Sequence, residues 1–166
     1  MSITKIGDTQ VHTNGDVPAA GTKAPDFILT DNKLSDVSLN DLKGNTVVLN
    51  IFPSIDTSTC AQSVREFNRR AAALARTTVL CISKDLPFAM SRFCAAEGIN
   101  RVITLSDFRS PEFAKDYHVE MTDGPMRGLF ARVVIVIDEN GIIKHTEVVP
   151  LIGDEPNYET ALKALV

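Results

Sequence analysis

"TVVLNIFPSIDTSTCAQSVREFNRRAAALARTTVLCIS", Thr46–Ser83, carries the fold in its patterning. Thr46–Phe52 is β-branched and almost wholly apolar, the composition of a central strand covered on both faces. After Pro53 the period changes. Val64, Phe67, Ala71 and Leu74 recur at helical spacing and give a helix one apolar face. "TTVLCIS", Thr77–Ser83, is a second buried strand. Strand, helix and strand in that order make a βαβ unit, whose crossover is right-handed.

The pattern continues outward. Leu86–Gly98, "LPFAMSRFCAAEG", reads as a helix that stops at its glycine. "RVITL", Arg101–Leu105, is a third strand, and Ser110–Tyr117 opens as a helix with Ser110 as cap and Pro111 in the first turn. Ala131–Val149 gives two strands joined by a turn at Asp138–Gly141, and "NYETALKAL" a terminal helix. Toward the N-terminus, "DFILT" and "VSL" are strands around a turn near Asp31–Ser35, preceded by loop chemistry at Pro18–Pro25. Asn14-Gly15, inside "TNGD", is a two-residue hairpin signal and predicts short strands on either side. The expected fold class is α/β: a central mixed sheet flanked by helices. One domain over 1–166 is expected, with a β-hairpin extension at 1–17.

Composition narrows the function. The 166 residues are 44% hydrophobic and 23% charged, with a formal net charge of −4. No basic stripe is present to suggest nucleic acid. No apolar run reaches the ~18–20 residues that a membrane span needs. "MSITKIGDTQVHTNG" lacks an apolar signal region, so the expected location is cytoplasmic, with the periplasm left open. The three cysteines are spaced Cys-x20-Cys-x12-Cys and the three histidines are scattered, which argues against a structural zinc site.

Cys60 ends "PSIDTSTC", where the strand gives way to the helix. Ser54, Asp56, Thr57, Ser58 and Thr59 can all cap that helix, so Cys60 falls in or beside its first turn. It also lies four residues before Val64, on the inward face. The expectation is a partly buried thiol aimed at unpaired backbone N–H groups. Those groups and the helix dipole favour the thiolate by ~0.3–1 kcal/mol, up to ~2. Full ionisation calls for a cation as well, and Arg109, Arg127 and Arg132 are equal candidates on spacing alone. An inert buried cysteine is the competing reading. For Cys94, in a helix after Met90 and Phe93, the plain reading is core packing. Cys81, mid-strand, reads as a small buried hydrophobe.

Pro53-x-x-x-Thr57-x-x-Cys60, after a buried strand and opening a helix, resembles the active-site motif of the peroxiredoxins. Together with "VLCISKDLPFAMSRFC" and "GLFARVVIVIDENG" it is similar to the bacterial thiol peroxidase subfamily, over nearly the whole chain. The resemblance implies a thioredoxin-like fold, a homodimer, and reduction of hydroperoxides without metal or flavin. It assigns Cys60 as the peroxidatic nucleophile and Cys94 as the resolving cysteine of an intrachain disulfide. Thr57 would hydrogen-bond the thiolate and peroxide, Pro53 would shield the pocket, and Arg132 would hold the thiolate and help bind peroxide. Thioredoxin would return both thiols. A redox sensor using the same disulfide is the alternative. A disulfide carrier is disfavoured because no CxxC is present. Cysteines on separate helices need not meet the ~7 Å Cα limit of a disulfide, so local unwinding near Cys60 or Cys94 is expected in each cycle.

Overall fold

Apolar strands build the sheet in the computed structural model, which describes residues 1–165. In chain order the strands are β1 (Ile3–Ile6), β2 (Thr9–His12), β3 (Ile28–Thr30), β4 (Asp36–Ser38) and β5 (Thr46–Ile51). They continue with β6 (Thr77–Ser83), β7 (Ile103–Ser106), β8 (Val133–Ile137) and β9 (Ile143–Val148). The helices are α1 (Ser58–Ala71), α2 (Pro87–Glu97), α3 (Glu112–Tyr117) and α4 (Tyr158–Lys163). β1 and β2 pair only with each other, and the other seven strands form one sheet in the order β4-β3-β7-β6-β5-β8-β9. β5, β6 and β7 run parallel, while β3 and β8 join antiparallel on either side. The sheet is therefore mixed, as the patterning predicts.

Alternation along the strands splits the core in two. Leu49, Ile51, Leu80, Ile82, Val133 and Ile135 face one layer, which α3 closes with Phe113 and Tyr117. Val48, Val79, Cys81, Val134 and Val136 face the other, closed by Val64 and Phe67 of α1, Met90 of α2 and Ala161 of α4. Val64 and Phe67 are fully buried, and each contributes about 1.5–3 kcal/mol relative to exposure. Two helix boundaries differ from expectation. α1 ends at Ala71, before Leu74. α3 begins at Glu112 with Pro111 in the cap position, and Ser110 offers its carbonyl to the Phe113 N–H rather than acting as the cap.

The N-terminal hairpin is present, but its turn is not at Asn14-Gly15. Ile6 pairs with Thr9 around Gly7-Asp8, and Gly7 takes the left-handed φ of +60°. Long-range contacts override the local signal at Asn14-Gly15. The Asn14 amide donates to the Ala114 carbonyl and its oxygen accepts the Glu120 N–H. Gly15 lies so close to the His118 ring that an added Cβ would stand 2.5 Å from Nδ1. Gly15→Ala must displace that ring and is expected to destabilise the protein by roughly 1–3 kcal/mol, as overpacking does. Urea unfolding measures this, and an unchanged midpoint contradicts the packing described.

Candidate active site

The sheet, α1 and the chain after β9 meet at Cys60. β5 ends beneath Phe52 and Pro53, both buried, and the chain then turns through Ser54–Thr57 into α1. Thr57 is the N-cap residue in extended conformation (φ −94°, ψ 146°). Its hydroxyl does not cap the helix and instead donates to the Ser54 carbonyl at 3.0 Å. Cys60 is the third helical residue. It is fully buried, not partly buried as the sequence suggested, because it joins the layer of Val48, Val64, Cys81 and Met90.

Of the three candidate arginines, Arg132 reaches the thiol. Its Nη2 lies 3.4 Å from Cys60 Sγ, and its side chain is 2% exposed. Nε donates to the Ile152 carbonyl at 2.9 Å, while Nη1 is buried without a partner among the described residues. Arg109 pairs with Asp36 at the surface, and Arg127 is exposed.

The Ile152 carbonyl is itself held in place. The Gly153 carbonyl next to it accepts the Thr59 hydroxyl at 3.0 Å. β1 grips the same segment from the other side. Lys5 N–H donates to the Pro150 carbonyl and Ile152 N–H donates to the Lys5 carbonyl, each at 2.9 Å. The Thr4 hydroxyl adds a buried bond to Val149 at 2.8 Å. The N-terminal hairpin thus braces the loop that orients the arginine. Above these residues lies a pocket of about 170 Å³, lined by Pro53, Thr57, Ser58, Thr59, Met126, Arg132, Ile152 and Gly153.

The first turn of α1 is anchored from below. Asn50, buried in β5, donates to Ser63 Oγ at 3.1 Å, and the Ser63 hydroxyl donates to the Cys60 carbonyl at 2.7 Å. A fully buried asparagine in an apolar strand costs free energy unless its amide is used; here the anchor uses Nδ2, while Oδ1 has no partner among the described residues. Sequence reading passed over Asn50 and Ser63. The only signal was one polar residue inside "TVVLNIF".

Pro53, Thr57 and Arg132 line one pocket, and Cys60 lies buried against Arg132. Cys94 is not at the pocket. It is half-buried on α2, where burial pushes its thiol pKa up and hydrogen bonds with Thr104 and Asn32 oppose the rise. All three cysteines are free thiols. No group of three or more His, Cys, Asp or Glu side chains is placed to hold a metal ion among the described residues.

Comparison with known proteins converges on one family. The Redoxin family model matches residues 19–162. The thiol peroxidase of Mycobacterium tuberculosis is 53% identical over 155 residues, 93% of each chain. The crystal structure of a peroxiredoxin-like protein from Aquifex aeolicus superposes with a TM-score of 0.91 at 31% identity, covering 98% of this chain and 95% of that one. The thiol peroxidase from Chromobacterium violaceum, 23% identical, shares the fold with a TM-score of 0.89, covering 97% and 93%. The architecture is accordingly the thioredoxin-like fold of the peroxiredoxins.

Burial pushes the Cys81 thiol up to about 12, against a hydrogen bond from Asn50. Cys81 therefore keeps its proton at neutral pH. Native protein treated with an alkylating reagent at pH 8 is expected to label Cys94 well before Cys81. Peptide mapping that finds Cys81 labelled as fast as Cys94 contradicts this placement.

Proposed function

The chain belongs to the Redoxin family, and from that premise and the geometry at Cys60 we propose how it works as a thiol-dependent peroxidase. The enzyme class follows from relatives named thiol peroxidase at 53% identity. One observation supports the mechanism most strongly. The Arg132 guanidinium spends one nitrogen on the main chain, one on Cys60 Sγ, and leaves Nη1 buried without a partner among the described residues. A free charged donor beside a nucleophile suits an oxygen that gains charge as its bond breaks.

The substrates are hydrogen peroxide and organic hydroperoxides. The Cys60 thiolate attacks the terminal peroxide oxygen, the O–O bond breaks, and the departing oxygen takes a proton to leave as water or an alcohol. Cys60 becomes a sulfenic acid. Arg132 stabilises the thiolate and then the separating oxygens. Pro53 walls the pocket, and the Thr57 hydroxyl keeps lone pairs that can accept from the peroxide O–H. Met126 and Ile152 give the pocket apolar surface where the carbon chain of an organic hydroperoxide can rest.

Cys94 condenses with the sulfenic acid, forming the disulfide and expelling water. Thioredoxin, a dithiol partner, then restores both thiols by exchange, in a reducing, cytoplasmic setting. The unit is proposed to be a homodimer. Exposed Ile28, Leu34 and Phe108 gather around Arg109 and offer apolar surface for a second copy to cover.

Replacing Arg132 tests the mechanism. Arg132→Met is expected to slow Cys60 oxidation by about 10²–10³, the usual cost of removing one aimed donor. Arg132→Lys keeps the charge without the fork and is expected to lie between Met and wild type. Stopped-flow peroxide consumption measures both. A near-wild-type rate in folded Arg132→Met protein overturns the role given to the guanidinium.

A further inference from the structure

Asp85 follows β6, stands two residues before α2, and takes no part in the chemistry above. Its carboxylate nevertheless joins the two cysteine-bearing segments. Oδ2 accepts the Ile55 N–H at 2.7 Å and the Ser83 hydroxyl at 2.5 Å, and Oδ1 accepts the Ser54 hydroxyl at 2.9 Å. Ser54 Oγ in turn accepts the Asp56 N–H at 3.2 Å, and Ser83 Oγ accepts the Asp85 N–H at 3.2 Å. The adjacent Lys84 turns away to Asp107 and Glu120. Two of these three donors to Asp85, the Ile55 N–H and the Ser54 hydroxyl, belong to the loop between β5 and α1, and the third belongs to β6. That loop carries Pro53 and Thr57 to the pocket and seats Ile55, 1% exposed, in the core.

We propose that Asp85 is a positioning residue that sets how the Cys60 sulfenic acid is spent. This rests on the peroxidase reading. While Asp85 holds Ser54 and Ile55, the pocket stays assembled above the buried Cys60 thiol, the arrangement in which the first oxidation occurs. Before the Cys60 turn can approach Cys94, those bonds must open. The sulfenic acid then has two fates. It condenses with the Cys94 thiol, forming the S–S bond and releasing water. Alternatively it meets a second hydroperoxide, takes up its terminal oxygen to become a sulfinic acid, and releases water or an alcohol. A tight latch favours the first oxidation and the sulfinic branch, and a loose latch favours the disulfide.

The experiment compares reduced wild type with Asp85→Ala by rapid quench in hydrogen peroxide, mapping the Cys60–Cys94 link and Cys60 sulfinic acid by peptide mass. The variant is expected to oxidise Cys60 roughly tenfold more slowly, since small misplacements in a pocket cost that much or more. Its disulfide closes faster once the sulfenic acid exists, and its sulfinic fraction at excess peroxide falls. Asp85→Asn keeps an acceptor for Ile55, the serine hydroxyls can reorient, and both rates return toward wild type. Ser54→Ala removes one bond and shifts the partition the same way to a smaller extent, which keeps the test open if Asp85→Ala fails to fold. A merely structural role would lower the melting temperature and leave the partition unchanged, or would slow both steps together. Either result overturns the assignment. A wild-type protein that oxidises Cys60 but forms no Cys60–Cys94 link overturns the role given to Cys94 and the partition with it, whereas one whose Cys60 does not react with peroxide overturns the peroxidase reading beneath.

Discussion

A guanidinium buried beside a thiol, with no carboxylate to neutralise it among the described residues, is the arrangement on which the site depends. Taking a charge out of water costs several kcal/mol even after relaxation. Arg132 recovers part of that through the Ile152 carbonyl and part through Cys60 Sγ, and keeps one nitrogen uncommitted. The rest of the local structure maintains this imbalance. Arg132 stands immediately before β8, and the chain after β9 supplies its carbonyl. The hairpin β1–β2 grips that chain, and Thr59 in the first turn of α1 ties to it from the other side. An N-terminal extension that looks peripheral is thereby coupled to the orientation of one side chain at the reacting sulfur.

The two cysteine-bearing helices are linked at both ends. Near the pocket, Asp85 holds the loop before α1. At the far end, Arg65 of α1 forms a two-point ion pair with Glu97 of α2, and Asn68 accepts the Asn100 and Arg101 N–H groups. The ion pair is largely solvated and adds little stability. Its geometry joins the far ends of the helices, as Asp85 joins the segments that precede their first turns. Cys94 neighbours Thr104 and Asn32, and the proposed disulfide with Cys60 is expected to proceed through rearrangement of one of those segments.

Much of the fold was legible because its signals are local. "TVVLNIF" and "TTVLCIS" are covered strands by composition, and both lie at the centre of the sheet. Cys60 was legible as a helix-start cysteine because a strand, a proline and a run of hydroxyl residues precede it. Features made by distant residues were not legible. Arg132 lies 72 positions from Cys60, and spacing could not choose it over Arg109 or Arg127. The Asp85 latch spans 30 positions, and no periodicity encodes it. The Asn50–Ser63 anchor was hidden because a single polar residue inside an apolar strand has no partner until the strand meets its helix. Asn14-Gly15 misled for the same reason. Its side chain and its missing Cβ serve contacts with residues 114–120, which outweigh the hairpin preference of the dipeptide.

In the proposed cycle Cys60 is oxidised first and Cys94 resolves it. The most direct test is a rapid-quench titration of reduced protein with one equivalent of hydrogen peroxide, followed by non-reducing peptide mass mapping. Fast formation of a single Cys60–Cys94 link, with Cys81 remaining a thiol, is the expected result. Slow and scattered oxidation, or a link made through Cys81, would contradict it.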